Sequence, residues 1–137
     1  YTKEEQKMLN ESRKILHDDK LSISATCVRV PVQVSHSECV QIEFKSEVSL
    51  EDAKRVLADY DGMKVVDDPA KNEYPMPLRA AGRNEVLVGR IRKDTAHKHG
   101  IVLWLSCDNL RKGAALNALQ IMDEAVNRGA LEPLSKR

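Results

Sequence analysis

Along "TKEEQKMLNESRKIL" the apolar residues Met8, Leu9, Ile15 and Leu16 fall roughly on one helical stripe, and Thr2 stands three residues before Glu5, the spacing of a capping box. The pattern predicts a helix over 3–17. The period then changes. Residues 22–30 and 37–45 are both rich in Val, Ile and Thr, and in the second run Val40, Ile42 and Phe44 alternate with Gln41, Glu43 and Lys45 as on a half-buried strand. Two strands are therefore expected to follow the helix. Ser49, three residues before Asp52, precedes the amphipathic stretch "LEDAKRVLADYDG", in which Gly62 supplies a stop signal. A helix over 50–59 comes next, and "MKVVD" reads as a strand after it.

Periodicity is lost from Asp67 to Asn84, where "DDPAKNEYPMPLRAAGRN" holds three prolines and a glycine and is too long for an ordinary connection. A loop of this kind serves a site or an interface. "EVLVGRIRK" and "GIVLWLSC" are two further strands, joined across "DTAHKH" as an exposed hairpin end. "DNLRKGAALNALQIMDEAVNRG" is a final helix with Ala115, Leu119, Met122 and Val126 on its apolar side and Gly129 near its end. This order of elements indicates an α+β fold, a mixed, mainly antiparallel sheet with helices packed on one face. No internal repeat or low-complexity tract interrupts it.

Length and charge narrow the function classes. A chain of 137 residues fits one domain that needs neither disulfide nor metal to hold a core. Its formal net charge of +1 gives no basic excess for nucleic acid or an anionic membrane. The three cysteines, Cys27, Cys39 and Cys107, are an odd number set in apolar runs, as suits reduced, buried thiols in a cytoplasmic protein. "IVLWLSC", the longest apolar run, is too short to span a bilayer, and "YTKEEQK" lacks a signal-peptide core. A soluble chain with no nucleic-acid or membrane partner is expected. Tyr1 stands where an initiator Met would, and helical pattern begins at once, which suggests a piece of a longer protein.

Candidate chemistry centres on "ATCVRVPVQVSHSE", where Arg29 and His36 lie in surroundings that should bury both. Positions seven apart lie on opposite faces of an unbroken strand, so these two converge only if the strand breaks between them, and Pro31 is the residue to break it. A convergent pair offers a bidentate anion grip beside a proton acceptor that titrates near neutral pH. The spacing equally suits an Arg reaching the rim and a His hydrogen-bonded inside. Glu4 and Lys7 share a face of the first helical turn, which read alone is a solvated ion pair. Asn109 opens the last helix as an N-cap, with Gly113 a packing residue. His97 and His99 lack a third ligand, so no metal site is expected.

"ISATCVRVPVQVSHS" closely resembles the signature around the active-site histidine of aspartate-semialdehyde dehydrogenases, with its Cys-x-Arg step and a His seven residues after that Arg. "YTKEEQKMLNESRKIL", "NEYPMPL", "VGRIRKD" and "DNLRKGAALNALQI" look like further parts of that family's C-terminal half, so the likeness runs from end to end. The resemblance implies a glyceraldehyde-3-phosphate-dehydrogenase-like C-terminal domain over 1–137 that binds substrate and forms a homodimer. It implies an enzyme that reduces L-aspartyl-4-phosphate with NADPH to L-aspartate-4-semialdehyde and phosphate, in the biosynthesis of lysine, methionine, threonine and diaminopimelate. A cysteine thiolate there forms a thioacyl intermediate and a histidine serves as acid and base.

Carried onto this chain, the resemblance makes His36 the acid/base and Arg29 the grip on the substrate's α-carboxylate. Glu4 takes the ammonium, Lys7 the phosphate, and Asn109 lies towards the nicotinamide end of the cofactor. Cys27 matches a structural cysteine of the signature, and Cys39, three residues from His36, falls on the opposite strand face, so neither is the expected nucleophile. The nucleophilic cysteine motif and the glycine-rich dinucleotide fingerprint have no counterpart in this chain and belong to an N-terminal, NADP-binding half. The chain by itself is accordingly expected to be inactive. Ser35 also departs from the pattern, standing where glycine is frequent. Two alternatives stay open: the equivalent domain of an N-acetyl-glutamyl-phosphate reductase, and a non-catalytic binding or scaffolding module of the same fold.

Overall fold

The computed structural model describes residues 1–131, which divide into two compact units, Tyr1–Pro31 and the chain from Val32 onward. Helix α1 (Lys3–Leu16) fills the predicted range. Its capping box is complete: the Glu5 N–H donates to Thr2 Oγ1 at 3.2 Å, and the Thr2 N–H donates to Glu5 Oε2 at 2.8 Å. His17, at φ 53, turns the chain out of the helix.

The first of the two expected strands is absent. Residues 22–30 are irregular, and their one tie to α1 through a backbone donor is the Cys27 N–H, which reaches Glu5 Oε1 at 2.9 Å. β-branched residues favour extended backbone, but a strand exists only where another strand completes its ladder. Within this unit the only regular element is a helix. The Cys27 N–H, and after it the Thr2 N–H, hold the Glu5 carboxyl below the usual carboxylate range.

The second unit carries the sheet. Strand β1 (His36–Glu43), helix α2 (Leu50–Asp59), β2 (Met63–Val65), a 3₁₀ turn (Pro69–Lys71) and helix α3 (Pro77–Ala80) are followed by β3 (Val86–Lys93) and β4 (Gly100–Cys107). A π-helical turn (Arg111–Ala115) then leads into α4 (Leu116–Asn127). The strand order is β1-β4-β3-β2, with β2 parallel to β3 and the other two pairings antiparallel, which is the mixed, mainly antiparallel sheet of the sequence reading. Ser49 caps α2 by accepting the Asp52 N–H at 3.0 Å. Leu50, Ala53 and Leu57 of that helix pack on a core of Val88, Ile91, Ile101 and Leu103. Each of these four side chains contributes about 1.5–3 kcal/mol by leaving water, and together they seat β3 and β4 beneath α2. α4 has no buried residue; Leu119, Ile121 and Met122 are exposed along it.

The long proline-rich loop is ordered by short-range backbone bonds, among them the Asp68–Glu73 bridge, and by side chains. Asp67 accepts the N–H of Arg90 at 2.7 Å and pairs with Lys54 at 2.7 Å. Arg90, at φ 52, marks the bulge at which the β3–β4 register shifts between Gly89 and Arg92. Pro75 is buried beside Gly89. Among the described residues no helix is long and apolar enough to cross a membrane.

Candidate active site

The turn before His36 is held by hydrogen bonds from separate parts of the second unit. Ser35 is 3% exposed and adopts φ 89, a left-handed backbone that residues other than glycine rarely hold. Its N–H donates to Asn109 Oδ1 at 2.7 Å and its hydroxyl to the Pro77 carbonyl at 3.0 Å. One residue on, the His36 carbonyl accepts from Ser106 Oγ at 3.3 Å, and Ser37 Oγ donates to Ser106 Oγ at 3.2 Å. The imidazole itself is exposed. A rigid backbone thus presents a solvent-facing imidazole, which is suited to exchanging protons with a bound molecule.

The strand break that Arg29 and His36 require has no strand to interrupt, because residues 22–30 are irregular and regular structure begins only at His36. Their expected burial is absent too: both side chains are exposed. Arg29 belongs to the irregular segment, which offers no sheet face to cover it, and His36 sits at the open end of β1. Glu4 and Lys7 share one face of α1 as predicted and line a shallow groove with Met8, Glu11, Ser12 and Ile15. Among the described residues Glu4, Lys7 and Arg29 enter no ion pair, so three charged groups of the first unit keep their hydrogen-bonding capacity for a ligand. The structure ties His36 to Asn109 in the second unit and holds Glu4 beside Lys7 in the first.

Asn109 does not cap the last helix. Neither the π-helical turn nor α4 has a side-chain cap, and the turn that leads into them is closed by Asp108, its Oδ1 accepting the N–H groups of Leu110 at 2.9 Å and Arg111 at 3.1 Å. Its Oδ2 accepts the Gly82 N–H at 2.7 Å. Chiefly through the Gly82 bond, and further through those from Leu110 and Arg111, the Asp108 carboxyl lies below the usual range although the side chain is buried. Both Asp and Asn cap well, so local sequence does not separate them; the choice is made by Ser35, 74 residues away, which takes the Asn109 oxygen.

Cys107 is the other residue that sequence reading passed over. It stands directly opposite His36 in the β1–β4 ladder, a cross-strand Cys–His pair. Burial, then the carboxylates of Glu38 and Asp108, push its thiol up, which favours the protonated form and disfavours a nucleophile. The expectation of buried thiols fails for Cys27 and Cys39, which are free and exposed. Cys27 lies in the irregular segment, and Cys39 is on the face of β1 opposite that of Val40, which packs on the core. At the hairpin end His97 Nδ1 lies 3.6 Å from Glu43 Oε2, and among the described residues no group of three or more His, Cys, Asp or Glu is arranged to hold a metal.

Residues 1–112 match the family model described as semialdehyde dehydrogenase, dimerisation domain. Over 131 residues the chain is 53% identical to the aspartate-semialdehyde dehydrogenase of Aquifex aeolicus, an alignment that covers 96% of this chain and 38% of that protein. The crystal structure of aspartate semialdehyde dehydrogenase II from Vibrio cholerae, complexed with ASA, superposes with a TM-score of 0.86 at 42% identity, over 93% of this chain and 37% of that one. The aspartate semialdehyde dehydrogenase of Candida albicans, crystallised with NADP, gives 0.78 at 26% identity, over 96% and 44%. The chain therefore spans less than half the length of these relatives.

Proposed function

The chain belongs to the semialdehyde dehydrogenase family through its dimerisation domain, and on that premise we propose that residues 1–137 are the C-terminal substrate-binding and dimerisation domain of an aspartate-semialdehyde dehydrogenase. The whole enzyme reduces L-aspartyl-4-phosphate with NADPH to L-aspartate-4-semialdehyde and phosphate, its cofactor held mainly by an N-terminal half that lies outside this chain. The single observation that carries the reading is identity of 53% to one such enzyme across 96% of the chain, which is too extensive to reflect a shared fold alone.

His36 is the acid/base of this proposal. Its exposed imidazole accepts the proton of a thiol that this chain does not supply and later returns a proton to the reacting centre. Arg29 holds the substrate α-carboxylate through its planar fork, Glu4 the ammonium and Lys7 the phosphate, so that a zwitterion bearing a phosphate is gripped at three charges. NADPH supplies the hydride. Asn109 fits a place near the nicotinamide end only through its Nδ2, since its oxygen is taken by Ser35. A homodimer is supported by β1, an edge strand of eight residues with Ile42 and Cys39 exposed.

Substrate discrimination tests the assignment. With the full-length enzyme running in reverse, L-aspartate-4-semialdehyde is expected to exceed N-acetyl-glutamate semialdehyde in kcat/KM by about a hundredfold or more, because an acetylated amine leaves Glu4 unpaired. Glu4→Gln narrows that ratio. Equal or reversed preference contradicts the proposal.

A further inference from the structure

We propose that Asn109 is a positioning residue for His36: its side-chain carbonyl, by taking the Ser35 N–H, locks the turn from which the imidazole projects. The inference rests on the reading of His36 as the acid/base and goes beyond it, because it gives Asn109 a role in proton transfer that needs no contact with cofactor or substrate.

Two observations carry it. Ser35 holds a left-handed backbone while almost wholly buried, a conformation that persists only where the surroundings over-determine it. Those surroundings are three bonds from separate parts of the unit: Asn109 at 2.7 Å, the Pro77 carbonyl of the long loop at 3.0 Å, and, on the next residue, Ser106 Oγ of β4 at 3.3 Å. Asn109 is itself fixed, because the neighbouring Asp108 is anchored on Gly82 at 2.7 Å and on Leu110 at 2.9 Å. The Asn109 bond is the shortest of the three at the turn and the only one to the backbone donor of the strained residue. Without it the Ser35 N–H is a buried donor with no partner, and the turn relaxes towards an ordinary negative φ. Such a change rotates the next Cα–Cβ bond and carries the imidazole away from the reacting atoms, and catalysis is sensitive to misplacement of that size.

A double-mutant cycle in the full-length enzyme tests the proposal. Asn109→Leu keeps the bulk and removes the acceptor; at saturating NADP, semialdehyde and phosphate its kcat is expected to fall by about tenfold to a hundredfold. Asn109→Asp retains an oxygen acceptor and recovers most of that loss. In a His36→Ala background there is no imidazole to position, so the loss caused by Asn109→Leu is expected to be about tenfold smaller than with His36 present, any part due to a cofactor contact being common to both backgrounds. The Ser35 amide exchanges hydrogen faster in Asn109→Leu than in Asn109→Asp. If Asn109→Leu does not fold, Asn109→Ala, which crowds nothing, takes its place in the cycle. An equal loss with and without His36, or no loss at all, overturns the proposal. Wild-type turnover in His36→Ala alone is a separate result: it removes the acid/base reading and this inference with it.

Discussion

Asp108 and Asn109 are adjacent, both good cap residues, and they do different work. Asp108 is a buried carboxylate satisfied by three backbone donors, with Gly82 the main cause of its lowered pKa. A group whose folded pKa lies below its unfolded value adds stability that is present above the unfolded pKa, near 3.9 for Asp, and lost as the pH falls through the folded value. Asp108→Asn turns an amide NH₂ towards one of those donors. Its denaturation temperature at pH 7 is therefore expected below that of the wild type, with the gap closing as the pH drops below about 4; a constant gap across that window, measured by calorimetry, would refute the account. Cys107 allows a sharper test. Since burial keeps its thiol protonated, Cys107→Ser in the full-length enzyme should hold kcat within about twofold, whereas a loss on the scale of removing a nucleophile would make the cross-strand Cys–His pair catalytic.

Elements set by neighbouring residues were legible in the sequence, and those set by distant partners were not. Thr2 with Glu5, and Ser49 with Asp52, announce the starts of α1 and α2, because a cap bond spans three residues. Thr2→Ala is expected to cost about 1 kcal/mol through the lost cap, read as a lower denaturant midpoint. Residues 22–30 misled because β-propensity describes a residue's fit to a strand and says nothing of whether a partner strand exists. Pro31 misled in the same way, since it has no strand to break, and the Asn109–Ser35 bond that shapes the turn before His36 was not readable either, since no local pattern links positions 74 apart. The long loop illustrates the same divide: its prolines mark it as irregular, but its anchoring on the β3 bulge emerges only in three dimensions. A Cβ at Gly89 would collide with the Val66 carbonyl and crowd Pro75 Cδ at 2.7 Å. Gly89→Ala should therefore destabilise the protein by about 3 kcal/mol, and a neutral result in denaturant unfolding would show that the loop yields there.

On the scale of the whole molecule, the apolar side chains left exposed on α4 and along β1 fit a domain that buries these surfaces elsewhere in a larger enzyme. The chain by itself should produce no NADPH from semialdehyde, NADP and phosphate, because the only cysteine facing His36 is held as a thiol. Activity from the isolated chain would mean that it carries its own nucleophile. The most direct test of the account is the same reverse reaction in the full-length enzyme, followed by NADPH absorbance, with and without His36→Ala. Loss of a general acid/base lowers kcat by about 10²–10⁴-fold, and a fall in that range is the predicted result; turnover undiminished in the variant would contradict it.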